Sequence, residues 1–125
     1  MAGLGRTVAV VRCCGAEARQ RSVVGQGLAV VVQTAQHTLL YDTGPRFSSE
    51  ADSGNRVVTP YLRATGVQKL DGMIVSHDDS DHSGGALSVL RAVPPDWIIA
   101  SLPRNHPIEA AAKQFMPCNG GQSWQ

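Results

Sequence analysis

Three apolar residues, Met73-Ile74-Val75, run without a break into the polar segment Ser76-His77-Asp78-Asp79-Ser80-Asp81-His82-Ser83-Gly84-Gly85. A strand that stops this abruptly keeps its body in a core and its tip at the surface. Two His and three Asp fall between positions 77 and 82. Side chains crowded at a strand tip share one backbone anchor, so they are pre-positioned to converge on one point. Any fold for this chain must bury the strand and leave the tip open.

The remaining chain supplies layers for such a fold. Leu28 to Gln33 is a β-branched run, and Thr38-Leu39-Leu40-Tyr41 returns after the turn Thr34-Ala35-Gln36-His37. Together they read as a hairpin, closed by Asp42-Thr43-Gly44-Pro45. Residues 46 to 56 are rich in Ser, Asp, Gly and Asn and read as a surface loop. Thr59-Pro60 reads as a helix start, with Thr59 as N-cap and Pro60 at the first helical position. That helix stops at Gly66. Asp71 to Ser76 is a strand, Gly85 to Arg91 a helix, Trp97 to Ala100 a strand, and Ile108 to Phe115 a helical stretch. Alternating helix and strand predicts α/β layering.

Composition closes off several function classes. The 125 residues suit one small domain or part of a larger one. Hydrophobic content is 42% with aromatics at 5%, so the core rests on Val, Leu, Ile and Ala. Nine of the 11 basic residues are Arg, but they are scattered and the net charge is +1. No basic track marks a nucleic-acid surface, so a grip on DNA would need local geometry. No apolar run approaches the ~18 residues of a membrane span. Cys13, Cys14 and Cys118 make no disulfide framework, and reduced, incidental thiols are expected.

His77, Asp79, Asp81 and His82 offer two nitrogen and two oxygen donors. A divalent cation held by such groups produces a nucleophile from water near neutral pH. The plain alternative is a polar loop with capping Asp and Ser. The spacing argues against it, because every second residue and then the next is a ligand type. Gly84 and Gly85 are expected to turn the chain sharply into the next helix.

His-X-Asp-X-Asp-His followed by Gly-Gly resembles the metal motif of the metallo-β-lactamase superfamily. The usual form has His where this chain has Asp79. The form with Asp resembles the soluble domain of ComEC-type DNA-internalisation proteins. Gly25-Gln26-Gly27, Leu39 to Gly44, Val58 to Leu62, Leu70 to Ser76, and Cys118 with Gly121-Gln122-Ser123-Trp124 resemble further segments of that domain. The resemblance covers residues 23 to 125, and residues 1 to 22 match it poorly. Val23 stands where the family carries an Asp.

The resemblance implies a partial αββα sandwich of the metallo-β-lactamase type. It implies His77 and Asp79 at a first metal position, with Asp81 and His82 at a second. Asp81 is also the residue expected to act in catalysis. Asp42 either supports the metal loop through a hydrogen bond or merely forms the turn before Thr-Gly; both readings stay open. Asp79 hardens the donor set and shifts preference from Zn²⁺ towards Mn²⁺ or Mg²⁺.

The implied parent is a bacterial inner-membrane protein of DNA uptake. Its soluble domain would be a metal-dependent nuclease on single-stranded or incoming duplex DNA, and the remainder of the parent would be its partner. The family's further His and Asp ligands have no counterpart here except His106, read as a surface-loop residue. The chain alone is therefore expected to be marginally stable and inactive. The alternatives are a related hydrolase of thioester, lactam or RNA, or an inactive truncated product.

Overall fold

The computed structural model describes residues 5–12, 18–24, 28–34 and 36–118. Cys13, Cys14, Gly25 to Gly27, Ala35 of the expected turn, and Gly121 to Trp124 lie outside the described residues. Seven strands form one mixed sheet in the order β2-β1-β3-β4-β5-β6-β7. These are β1 Gly5–Arg12, β2 Ala18–Val24, β3 Leu28–Gln33, β4 Thr38–Tyr41, β5 Gly72–Val75, β6 Trp97–Ala100 and β7 Phe115–Pro117. β1 and β2 pair antiparallel, and β1 lies parallel to β3. β3 and β4 form the expected hairpin, with Val31 opposite Leu40 and Gln33 opposite Thr38. From β4 to β7 every pairing is parallel.

Parallel neighbours need crossovers, and short helices supply them. A π-helical turn, Gly54–Val58, runs into α1, Thr59–Ala64, between β4 and β5. α2, Ser80–Ser83, and α3, Ala86–Ala92, link β5 to β6. α4, Pro107–Ala111, links β6 to β7. No helix among the described residues is long and apolar enough to cross a membrane.

The register sorts the side chains onto two faces. Val31, Leu40, Met73 and Ile98 share one face and are fully buried. They join one core with Val58, Leu62, Val89, Leu90 and Ile108 from the helical layer. Burying each such side chain stabilises the fold by roughly 1.5–3 kcal/mol. Val30, Tyr41, Ile74, Ile99 and Met116 line the other face, with Val32, Leu39 and Trp97. Of these, Val30, Val32, Leu39, Tyr41, Trp97 and Met116 are only half-buried and lie outside that core. The Trp97 indole lies across Gly72, where an added Cβ would collide with it.

Three expectations are corrected. Thr59 is not a cap: the chain is already helical from Gly54, and the Thr59 hydroxyl is buried without a hydrogen-bond partner among the described residues. Pro60 has no N–H and crowds the preceding turn, which suits the widened π turn ahead of it. Phe115 opens β7 rather than closing a helix. The helix ends earlier, at Ala111, and Ala112 is already extended. Gly84 and Gly85 have φ of −60° and −95°, so neither makes a turn that requires glycine. Their role is close approach. A Cβ on Gly85 would strike the backbone of Thr43 and Gly54, and one on Gly84 the backbone of Pro45 and Arg46.

Candidate metal centre

Because β4, β5 and β6 are parallel, their carboxyl ends open on one edge of the sheet. Asp42 follows β4, the Ser76–His82 loop follows β5, and the segment to His106 follows β6. Ligand sites in open α/β sheets favour this edge. The topology therefore assembles residues far apart in the chain.

Asp42 is the buried hub. It is fully inaccessible and adopts a left-handed φ of 56°. Its Oδ1 accepts the Ser76 backbone N–H at 2.7 Å. Its Oδ2 accepts the Ser76 hydroxyl at 2.7 Å and faces His82 Nδ1 at 2.8 Å. A carboxylate only accepts, so His82 Nδ1 must carry the proton. Hydrogen bonds to a charged group contribute about 1.5–3 kcal/mol each. Of the two readings of Asp42, hydrogen-bond support of the loop is the one its contacts describe.

Ser76 links the same carboxylate to His77. The Ser76 hydroxyl spends its proton on Asp42, so its oxygen is an acceptor for His77 Nδ1, 2.8 Å away. Both imidazoles thus carry a proton on Nδ1, and in the neutral rings Nε2 holds the lone pair. Their ring centroids lie 4.0 Å apart. His77 Nε2 faces Asp79 Oδ2 at 3.3 Å. Two lone-pair donors at that distance repel unless a positive species lies on or between them.

Thr43 holds the loop from behind. Its backbone N–H and its hydroxyl both donate to the His82 carbonyl, at 2.7 Å and 2.9 Å. The Gly85 N–H in turn donates to the Thr43 hydroxyl oxygen at 3.1 Å. Asp81 stands exposed in the first turn of α2, apart from this network. Among the described residues no three His, Cys, Asp or Glu side chains converge on one point. The donor chemistry nonetheless suits a divalent cation: two neutral imidazoles bonded through Nδ1 keep Nε2 for a ligand, and a carboxylate already faces that of His77.

The sequence predicts a surface-loop position for His106, yet its side chain is only 19% exposed. It caps α4 by accepting the Ile108 N–H on Nδ1, and its Nε2 faces Asp78 Oδ1 at 2.9 Å. Sequence reasoning gave no role to Ser76, Thr43 or Asp78. The pairing of Asp78 with His106 spans 28 positions, and no local pattern announces it.

A family model described as the metallo-beta-lactamase superfamily matches residues 22–121. The chain belongs to that superfamily. The superfamily assignment accords with an α/β layering in which the metal-motif loop follows a buried parallel strand. The uncharacterized protein YcaI of Escherichia coli (strain K12) is 37% identical over 102 residues, which is 82% of this chain and 12% of that protein. Competence protein ComA of Neisseria gonorrhoeae is 44% identical over 79 residues, covering 63% of this chain and 11% of its own length. Recombination protein 2 of Haemophilus influenzae (strain ATCC 51907 / DSM 11121 / KW20 / Rd) is 34% identical over 101 residues, covering 81% and 12%. The resemblance to ComEC-type competence proteins thus holds within the superfamily. The chain spans about an eighth of the length of these curated relatives. No solved structure gives a significant match.

Proposed function

We propose that this chain carries part of the metal centre of a DNA-processing hydrolase domain, in which water cleaves a phosphodiester. The observation that carries the reading is the pair of imidazoles whose Nδ1 atoms are both held by one buried carboxylate, Asp42, directly at His82 and through Ser76 at His77, which leaves Nε2 of each neutral ring as the donor. Such support of ligating imidazoles is a recurrent feature of metal sites. The names of the competence and recombination relatives favour DNA over other substrates.

His77, Asp79 and His82 would hold the cation, with Asp81 joining from α2. A divalent cation, when bound, supplies Lewis-acid chemistry to a phosphate oxygen and to water. The protein's own part is orientation and proton handling. Asp42 and Ser76 keep Nδ1 of both rings protonated, so neither ring turns away from the site. To Asp81, exposed to solvent, we assign the uptake of a proton released from water. Carboxylates at 79 and 81 harden the donor set and favour Mn²⁺ or Mg²⁺ relative to Zn²⁺. The parent would be an inner-membrane protein of DNA uptake, and this chain a piece of its soluble domain.

Metal titration by calorimetry, followed by assays on single-stranded DNA, duplex DNA, a thioester and a β-lactam, tests this. The expected result is Mn²⁺-supported DNA cleavage by the parent domain, lost in Asp81→Asn. Cleavage of the thioester or lactam with DNA untouched would overturn the substrate class. Wild-type protein that binds no divalent cation would overturn the metal centre.

A further inference from the structure

His106 is locked by two bonds of opposite sense. Its Nδ1 accepts the Ile108 N–H at 3.1 Å, which requires a lone pair there. The proton of the neutral ring is then on Nε2, where it donates to Asp78 Oδ1 at 2.9 Å. This is the opposite tautomer from that of His77 and His82, and it leaves no ring nitrogen open for a cation. His106 is thus excluded as a ligand by its own hydrogen bonds. Asp78 lies between His77 and Asp79, and its carboxylate points away from them to the start of α4. The loop is pinned from one side by Asp42 and Thr43 and from the other by His106.

We propose that His106 is a positioning residue that holds the Ser76–His82 loop through Asp78, fixing the backbone between two metal ligands. The assignment of those ligands rests on the function proposed above; the restraint on the loop does not. α4 contributes the anchor: Ile108, one of its residues, is buried in the core at 1% exposure, so the Nδ1 end of the ring cannot drift. A loop tied at both sides pays less ordering entropy when it closes on a ligand.

Two substitutions separate the anchor from the tie. His106→Asn keeps a side-chain oxygen that caps α4 but cannot reach Asp78. Asp78→Ala removes the other partner and leaves the cap intact. Amide hydrogen exchange on the metal-free full chain is the first readout. Each variant should exchange residues 77 to 82 several-fold faster, with the α4 amides unchanged. The double variant should be no faster than either single one. Unchanged loop exchange in either single variant, or additive effects in the double one, would overturn the proposal. Mn²⁺ titration is the second readout, and each variant should bind about tenfold more weakly. Wild-type protein that fails to bind Mn²⁺ sinks the metal reading, and the tie then stands or falls on exchange alone.

Discussion

Asp42 Oδ2 and His82 Nδ1 lie 2.8 Å apart, at the ends of a relation that spans 40 positions in the chain. The same oxygen accepts the Ser76 hydroxyl, and Ser76 in turn meets His77. One buried carboxylate therefore governs the orientation of two imidazoles. Asp42→Asn retains the size and tolerance for positive φ but replaces one acceptor oxygen by a donor. Metal affinity measured by calorimetry should fall 10- to 100-fold, roughly the range for partners that orient a ligating His. A Ser76→Ala variant should lose less, because the bond from Asp42 to His82 survives.

The contact of Gly85 with the backbone of Thr43 and Gly54 leaves no room for a methyl group. Gly85→Ala should destabilise the fold by about 1–3 kcal/mol, the usual cost of overpacking. Urea unfolding would measure it. A loss of metal affinity should accompany it, since Thr43 grips both Gly85 and His82.

Thr59 buries a hydroxyl with no partner among the described residues. Thr59→Val keeps the shape and removes the polar atom. It should raise stability by about 1 kcal/mol. A melting temperature below that of the wild type would contradict this.

Asp71 ties the start of β4 to the start of β5. Partial burial opposes its ionisation, but the Thr38 N–H at 2.7 Å and the neighbouring His37 and Lys69 outweigh it and hold the carboxyl below its ordinary value of 3.8. A carboxyl whose folded pKa is depressed stabilises the fold fully above the unfolded value. That contribution disappears as the pH falls from about 3.8 through the lower folded value. The stability difference between wild type and Asp71→Asn should therefore be largest near neutrality and shrink below pH ~4. Denaturant melts at pH 7 and pH 3 would check it. A difference that grows on acidification would be the wrong sign.

Much of the central sheet was legible in the chain. β3, β4, β5 and β6 follow apolar runs, and Trp97–Ala100 is the strand that its composition predicts. β2 was not legible, because Ala18-Arg19-Gln20-Arg21-Ser22 has no apolar alternation to read. Phe115 was misplaced because a short amphipathic run fits a helix and a strand equally well. Its pairing with Ile98 on β6, not its own preference, makes it extended.

The sequence by itself determined where the candidate donors sit: spaced along one loop, at the end of one strand, in a pattern that places the chain in its superfamily. Only the tertiary structure decided the state of those donors. Which ring nitrogen carries a proton depends on what faces it, and those partners come from other strand ends. Asp42 arrives from β4 and His106 from the segment after β6, brought there by a parallel sheet whose strand ends share one edge. The glycines make the same point. Their presence was plain in the sequence, but the reason for Gly85 is a backbone 42 positions away that leaves no space for a Cβ.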